Sequence, residues 1–428
     1  MTEVSGGVVT MGGEQGERAS ARALARQGLV PAVGRALLLA SVPLAVVWIP
    51  VASLPGLGNV AAADVVLLGL WAAALLELAL RGAREVEPEP FVVLACASAV
   101  GLLAGLGAEI AGHEGTFVLE ALLLMKRFGF AAILPLAAAL FRSRGVARAT
   151  RVLTVLCMAA MVLFTLRPEL QAHLPRPTTF DPTAMDDRPT GLLTNPNDLA
   201  YASVALAVLH AAFLPRRAPL LERAVLAATL AGAAICVVSS GSRSGLIGSA
   251  GALAFLTLAS GFRRRSKVIL LAVSGVVIAA GLSSSPLFHE RIERFYRQRL
   301  GDENVSSRLE AQWIAVQASA GHPLGVGYQN FLSATSNLRK SYAFTTSDSV
   351  YVDTLLGAGI PGLLALLALL AATWRHASRR HDEARRIRQA GLVAFLLFGT
   401  AAVVPISVFL APLFFWIPAA AALARARS

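Results

Sequence analysis

A single arginine stands among small residues in the segment CVVSSGSRSGLIGS, residues 236–249, between two long apolar runs. Arg243 has serine and glycine on both sides, so a bulky ligand can approach its guanidinium closely. A guanidinium binds two phosphate oxygens at once, and the helix predicted to begin at residue 244 favours an anion at its N-terminus. Arg243 is therefore a candidate phosphate clamp. The alternative is an interfacial arginine that extends to the lipid headgroups.

Three further segments place polar side chains where a loop meets a helix. GLLTNPNDLAYA enters a helix with Asn197 and Asp198, either of which could cap that helix or bind a ligand. Arg308 lies near the start of a helical stretch that ends in GHPLGVGYQNF, a glycine-rich turn without the spacing of a dinucleotide-binding fingerprint. Asp348 precedes the next long apolar run, where it could cap a helix or act chemically.

Two basic residues, Lys126 and Arg127, interrupt the apolar stretch ALLLMKRFGFAAILPL. A charge inside a membrane span is costly and usually faces a cavity or a partner, unless the span boundary lies elsewhere. The sequence has no phosphate-binding loop, no metal-ligand spacing and no Ser-His-Asp set. We interpret the isolated histidines and the cysteines of apolar runs as structural: His113, His173, His289, His322, Cys96, Cys157 and Cys236.

Composition defines the class of protein that must position these side chains. Of 428 residues, 56% are hydrophobic and 15% are charged, and the mean hydropathy is +0.63. These values exclude an ordinary soluble globule and a disordered chain, and they indicate an all-α, polytopic helical membrane protein. The net charge of +12 and the pI of about 10.7 are better explained by basic cytoplasmic loops than by nucleic-acid binding.

Apolar runs of the length needed to cross a bilayer recur along the whole chain, and they predict about twelve spans. The last two spans come from one long apolar run that Pro405 and Pro412 interrupt. The predicted spans are 33–54, 59–80, 91–112, 118–141, 151–167, 197–214, 220–240, 245–261, 267–285, 350–373, 390–405 and 407–424.

Loop charge predicts the orientation of the bundle. With the N-terminus inside, the basic loops RGARE, RSRGVARATR, PRRAP, GFRRRSK and WRHASRRHDEARRIRQ, and the C-terminal RARS, all fall on the cytoplasmic side. The first apolar run is expected to be an uncleaved signal anchor. The predicted organisation is a cytoplasmic tail, 1–32; helices 1–9, 33–285, with an outer loop near 168–196; a large extracytoplasmic loop, 286–348; and helices 10–12 with a short cytoplasmic tail, 349–428.

The large outer loop contains the segment FHERIERFYRQRL. Its two phenylalanines and its isoleucine recur at helical spacing, opposite Arg291 and two other arginines. This pattern predicts an amphipathic helix on the outer membrane surface. Arg291 is a candidate for contact with phosphate or glycan, and the alternative is that these arginines only solvate a helix face.

Four blocks, in this order, resemble the O-antigen ligase and polymerase family of bacterial envelope proteins: NPNDLAYA, SSGSRSGLIG, SRLEAQWIAVQASAGHPLGVGYQNF and SDSVYVDTLLGAGIPGL. They cover roughly residues 190–370, and the long outer loop between the second and fourth blocks matches the family. The resemblance implies glycan transfer from an undecaprenyl-diphosphate carrier at the outer face of the inner membrane, without nucleotide sugar, metal or other cofactor. It also implies that Arg243 and Arg308 hold the diphosphate.

The chain departs from the pattern of a ligase at the helix after the loop. In the family's ligases a His-Asn pair stands at the start of this helix. Counted back from the second glycine of GAGIPG, the two positions are occupied here by Asp348 and Ser349. An acidic residue is often found two positions before that glycine, where this chain has Gly357. These departures favour a polymerase over a ligase. Asp348 could act as the general base in place of the ligase histidine, while Arg243 and Arg308 neutralise the leaving diphosphate.

The remaining expectations concern substrates and rival functions. Asn197 and Ser349 join Lys126, Arg127 and Arg291 as candidate substrate contacts. The expected partners are the lipid-linked donor, a glycan or lipid acceptor, membrane lipids and other envelope-polysaccharide assembly proteins. Two alternatives stay open: a ligase that joins glycan to a lipid or protein, and a transporter or flippase without catalysis. Asp353 also lies near the loop exit, so the sequence does not decide which acid is the base.

Overall fold

The computed structural model is almost entirely helical. It describes residues 12–47, 49–54, 58–82, 86–113, 115–173, 190–193, 195–214, 218–259, 303–338, 347–379, 384–401 and 411–423. The predicted span 267–285 and the amphipathic segment with Arg291 lie outside these residues, as do the side chains of Arg127 and Arg243.

The described residues form thirteen α-helices that we number in chain order, apart from one short turn at Phe331–Ala334. Their bounds are α1 Gly12–Leu44, α2 Ala62–Arg81, α3 Pro88–Ile110, α4 Phe117–Leu124, α5 Leu134–Leu140, α6 Arg144–Leu166, α7 Pro196–Ala212, α8 Leu220–Ser240, α9 Arg243–Ala259, α10 Glu303–Gly321, α11 Val350–Ser378, α12 Ala384–Ala401 and α13 Ala411–Leu423.

Five of the helices among these residues are long and apolar enough to cross a membrane: Ala62–Leu80, Pro88–Ile110, Arg144–Leu166, Leu220–Ser240 and Val350–Ser378. Four shorter apolar helices accompany them: Gly28–Leu44, Phe130–Leu140, Ser244–Leu258 and Ala411–Leu423. Large apolar side chains on the long helices stay exposed, as expected of surfaces that face lipid, for example Leu75, Leu102 and Leu364. The protein is a helical membrane protein, and the number of twelve spans remains a prediction.

The first predicted span, 33–54, is wrong at its end. Helix α1 stops at Leu44, and a two-stranded antiparallel hairpin follows, with β1 at Pro50–Leu54 and β2 at Gly58–Ala61. Proline cannot donate to a helix but is tolerated as the first residue of a strand, which is the position of Pro50 in β1. The Asp64 carboxylate then accepts the Ala61 N–H at 2.9 Å, where α2 begins.

The fourth predicted span, 118–141, is helical but irregular. Between α4 and α5 the chain passes through a π-helical turn, Met125–Gly129, and a 3₁₀ turn, Phe130–Ile133. Pro135, in the first turn of α5, has no N–H to donate to the preceding turn. π-Helical turns inside helices are frequent at functional sites, and this one carries Lys126.

Helices α7 and α13 form the centre of the bundle. Every residue of α13 is buried, and so is most of α7, which explains why neither helix has a polar stripe. The Trp416 indole N–H on α13 donates to the Ser41 hydroxyl on α1 at 3.0 Å. Around this centre α3 packs on α11, and α9 packs on α12.

Candidate functional site

The side chains of Arg308 and Asp348 meet at the start of α11. Arg308 lies on α10, and its Nε is 3.1 Å from Asp348 Oδ2. The two side chains are 34% and 30% exposed, so a ligand from solvent can reach both. Two predicted site residues from separate sequence blocks, one near the start of α10 and one just before α11, are therefore in contact.

Asp348 has a backbone conformation that is unusual for its residue type. Its φ is 56°, and among the described residues it is the single non-glycine residue with positive φ. Aspartate and asparagine tolerate this region better than other L-residues, and such conformations concentrate at functional sites. The conformation separates Asp348 from the helix, so that Ser349 occupies the N-cap position. The alternative reading of Asp348 as a helix cap is therefore wrong.

The other acid near this loop exit, Asp353, supports the backbone. Its Oδ1 accepts the Ser347 N–H at 2.8 Å, and its side chain is buried. The hydroxyl of Ser347 in turn accepts the Ser349 N–H at 3.2 Å. The Ser349 side chain is also buried, and its hydroxyl donates to the Gly399 carbonyl on α12 at 3.4 Å. Asp353 and the two serines thus fix the segment that presents Asp348.

The turn that carries Arg243 packs against the N-terminus of α7. Ser242, between α8 and α9, donates its hydroxyl to Asn197 Oδ1 at 2.7 Å, and the same hydroxyl accepts the Gly245 N–H at 3.0 Å. A Cβ atom at Gly245 would lie 2.5 Å from the Cβ of Ala200, so α9 contacts α7 directly. The structure therefore places the Arg243 backbone beside Asn197.

The capping of α7 differs from the expectation that Asn197 or Asp198 is the cap. Asn195 is the N-cap residue, and its side-chain oxygen accepts the Asn197 N–H at 2.8 Å. This leaves the Asn197 side chain for the contact with Ser242, while Asp198 is buried in the first turn. The role of Asn197 seen here is to hold the arginine turn.

Lys126 lies on the π-helical turn, and its side chain is half-buried. The Asp64 carboxylate at the start of α2 lies within electrostatic range of its ammonium group. A basic residue inside a span usually faces a cavity or a partner, and Asp64 is an acidic group on a neighbouring helix. Asp64 was not identified from the sequence.

The glycine-rich turn after α10 pairs with a break in α11. Helix α11 is interrupted at Gly359, which has φ 70° and ψ −170°. There Ile360 donates its N–H to the Pro323 carbonyl at 2.9 Å, and Pro361 has no N–H to donate. The break leaves two helix carbonyls without their usual partners, and the turn supplies N–H groups to both. Val326 donates its N–H to the Leu356 carbonyl at 3.0 Å, and Gly327 donates to the Gly357 carbonyl at 2.8 Å.

Gly359 is required at this pairing for two reasons. Its dihedral angles belong to a region that glycine alone occupies readily, and a Cβ atom there would lie 2.4 Å from the backbone of Leu324. Gly357 also has to be small, because a Cβ atom at this position would lie 2.6 Å from the Tyr328 ring. The tyrosine therefore covers the position at which the family resemblance predicted an acidic side chain.

Glu120 on α4 is a site residue that the sequence analysis missed. Its two carboxylate oxygens accept the N–H groups of Tyr328, at 2.8 Å, and of Gln329, at 3.1 Å. The Tyr328 hydroxyl forms a further hydrogen bond of 2.6 Å with the Thr354 hydroxyl on α11. The signal available in the sequence was a lone acid in the apolar helix FVLEALLL, which is costly unless it has partners.

Among the described residues, one cluster could hold a metal ion, and it lies at the other end of α11. It consists of Glu87, Glu89 and the buried His376, whose ligand atoms lie within 4.8 Å of one another. Arg379 forms ion pairs with both glutamates. The cluster is thus remote from Asp348, and its glutamates already have a cationic partner.

Comparison with known proteins supports the resemblance independently. The sequence model of one protein family, described as O-antigen ligase, matches residues 226–367, about a third of the chain. The matched region begins within α8 and contains the Arg243 turn, α10 with Arg308, the glycine-rich turn and the first half of α11. No curated protein matches the chain. The recognition made from the sequence is thereby confirmed, in that residues 226–367 are similar to the O-antigen ligase family.

Proposed function

We propose that the protein is an integral membrane glycosyltransferase that polymerises glycan from an undecaprenyl-diphosphate carrier. The reaction would take place at the outer face of the bacterial inner membrane, with both termini in the cytoplasm, and would build a surface polysaccharide. The observation that carries the proposal is the contact of Arg308 with Asp348 at 3.1 Å, since a phosphate-binding group and a candidate base then share one accessible position.

The proposed step is a direct displacement at the anomeric carbon of the donor. The acceptor hydroxyl oxygen attacks this carbon, the bond from the carbon to the diphosphate oxygen breaks, and the hydroxyl proton passes to the Asp348 carboxylate. Undecaprenyl diphosphate leaves as the anion. Arg243 and Arg308 neutralise the charge that grows on the leaving group, so the step requires no metal.

The ion pair with Asp348 gives Arg308 a second part in this mechanism. Its guanidinium lies against the Asp348 carboxylate. A diphosphate carries more negative charge than one carboxylate and accepts a guanidinium bidentately. Donor binding would therefore move Arg308 from the carboxylate to the phosphate, and Asp348 would then receive the acceptor proton.

A polymerase is favoured because Asp348 and Ser349 stand where the resemblance predicts the His-Asn pair of a ligase. In a ligase the acceptor would be a different lipid or protein, and the two arginines would have the same role. A transporter or flippase would move the lipid-linked glycan between leaflets and would need no base. These two functions are separate outcomes of the test.

The test uses purified protein in detergent with an undecaprenyl-diphosphate oligosaccharide and EDTA, analysed as a gel ladder. A ladder with wild type that disappears in Arg243→Ala, Arg308→Ala and Asp348→Asn supports the proposal. Arg167→Ala is the matched control, because this exposed arginine pairs with Glu169 at 3.2 Å on the predicted outer side. One glycan added to a separate acceptor would indicate a ligase. Movement of the lipid between leaflets of liposomes without any transfer would refute the transferase.

A further inference from the structure

Glu120 is a buried carboxylate whose location requires a functional explanation. Its side chain is 1% exposed, and it lies in the apolar helix α4. Burying a carboxylate is unfavourable unless hydrogen bonds replace its hydration. Each of its oxygens accepts a backbone N–H, from Tyr328 and from Gln329, and both donors belong to the segment between α10 and α11. Glu120 therefore connects the first half of the chain to the region that carries Arg308.

The turn that Glu120 holds is irregular backbone that ends in a 3₁₀ turn, Tyr328–Asn330, and it packs among apolar helices. It contacts α11 between Leu356 and Gly359, up to roughly 14 Å along that helix from its first residue. Because water is excluded among apolar helices, a backbone N–H buried there needs a protein partner. Backbone carbonyls accept the N–H groups of residues 325, 326, 327 and 330, while those of residues 328 and 329 donate to Glu120.

The same turn continues directly from the helix that presents Arg308. Helix α10 ends at Gly321, and its buried face shares a small apolar core with the turn and α11, made of Ala315, Ala318, Val326, Phe331 and Leu356. Near its other end, α10 contacts the segment just before α11 through Arg308 and Asp348. The helix is thus attached at two places, and a shift of the turn would move Arg308 relative to Asp348.

We propose that Glu120 is a positioning residue for the transfer site: its carboxylate fixes the turn after α10 and thereby holds Arg308 in register with Asp348. The proposal rests on the proposed function. It assigns Glu120 no contact with substrate, so its effect is expected on the geometry of the arginine and not on the proton transfer itself.

The first test measures hydrogen exchange of the backbone amides in the purified full chain, with Glu120→Gln as the variant. A glutamine keeps the size of the side chain but has one acceptor oxygen, so one of the two N–H groups loses its partner and both lose the charge. We expect Tyr328 and Gln329 to exchange at least about tenfold faster than in wild type. The matched control is Glu109→Gln, because Glu109 is an exposed glutamate that accepts the Gly115 N–H at 3.3 Å.

The second test measures transfer kinetics with the lipid-linked donor. We expect Glu120→Gln to raise the donor KM by about tenfold and to lower kcat by less than Arg308→Ala does, because the arginine that binds the diphosphate is displaced but still present, while Asp348 is unchanged. Glu120→Ala should show a larger increase, and Glu109→Gln should resemble wild type. Thermal unfolding and elution volume in detergent identify a variant that has lost its fold, and Glu120→Asp, which keeps the charge, then replaces it.

The outcomes separate the two proposals. Unchanged exchange at Tyr328 and Gln329 in Glu120→Gln overturns the anchoring of the turn by Glu120. Faster exchange with an unchanged donor KM overturns the positioning role. If wild type transfers no glycan to any acceptor, the proposed function fails and the positioning role fails with it, while the exchange experiment still decides whether Glu120 anchors the turn.

Discussion

The contact between Arg308 and Asp348 predicts that replacing either residue lowers the rate of transfer strongly and the stability of the fold only slightly. The variants are Asp348→Asn, Arg308→Ala and the double variant. Asparagine is chosen because it tolerates the φ of 56° at this position as aspartate does. Alanine there would add backbone strain of about 1–2 kcal/mol and would mix two effects.

The expected catalytic losses are large. Removing a general base lowers the rate by about 100-fold to 10,000-fold, which is about 3–5 kcal/mol of transition-state stabilisation. Removing one group that neutralises the leaving charge lowers it by about 100-fold to 1,000-fold. The two residues act on one step, so the double variant should lie within about tenfold of the worse single variant and not at the product of both losses.

The expected loss of stability is small by comparison. Both side chains are about one-third exposed, at 34% and 30%. An ion pair this accessible to water contributes about 1 kcal/mol or less. The unfolding temperature in detergent should therefore fall by no more than a few degrees in any of the three variants.

The assay is single-turnover transfer by each variant with saturating donor, together with thermal unfolding of the same preparations. An Asp348→Asn variant with the wild-type single-turnover rate and an intact fold would refute the assignment of the base. A double variant whose loss equals the product of the single losses would show that the residues act in separate steps. A fall in activity that only follows a fall in unfolding temperature would mean that the pair is structural.

Two further predictions concern the supports of the site. Gly359→Ala should unfold at a markedly lower temperature than wild type, because strain of about 1–3 kcal/mol adds to a clash with the Leu324 backbone. Gly321→Ala, whose Cβ would meet nothing within 4 Å, is the control, and equal unfolding temperatures for the two variants would contradict the pairing of turn and helix. Ser242→Ala should raise the donor KM, because the hydroxyl that joins Asn197 to the arginine turn is lost, at a cost of about 1–3 kcal/mol. Ser249→Ala is the control, since that hydroxyl bonds within its own helix, and similar kinetics in both serine variants would refute the proposed support.

Hydropathy predicted the helices well because lipid imposes a length and an apolar composition on each of them. Helix α8 has the bounds that were predicted from the sequence, residues 220–240. The same method failed after Leu44, because the hairpin that follows is apolar as well, and hydropathy does not distinguish an apolar strand from an apolar helix. The number of spans stays open for a related reason, since helices such as α13 are apolar but short.

The site was harder to predict than the fold because its contacts join distant parts of the chain. Residue types indicated Arg308, Asp348 and Asn197 as polar groups near helix starts, but nothing in their spacing indicates which of them touch. Asp348 and Asp353 are equivalent by residue type, but their surroundings differ. The Asp348 carboxylate is partly exposed beside Arg308, while the buried Asp353 carboxylate accepts the Ser347 N–H. That distinction depends on the positive φ of Asp348, which no sequence pattern in this chain indicates.

The pairing of the glycine-rich turn with α11 was not predicted from the sequence. HPLGVG indicates a loop and GAGIPG part of a helix, and each contains glycine and proline that are unsuited to regular structure by themselves. Proline and glycine in α11 remove helix hydrogen bonds, and the turn after α10 supplies two N–H groups to the carbonyls that are left. Each segment is therefore stabilised by the other. The pairing also fixes the position of the turn that follows α10. The position of Arg308 thus depends on a proline, two glycines and a buried glutamate, none of which has to touch the substrate.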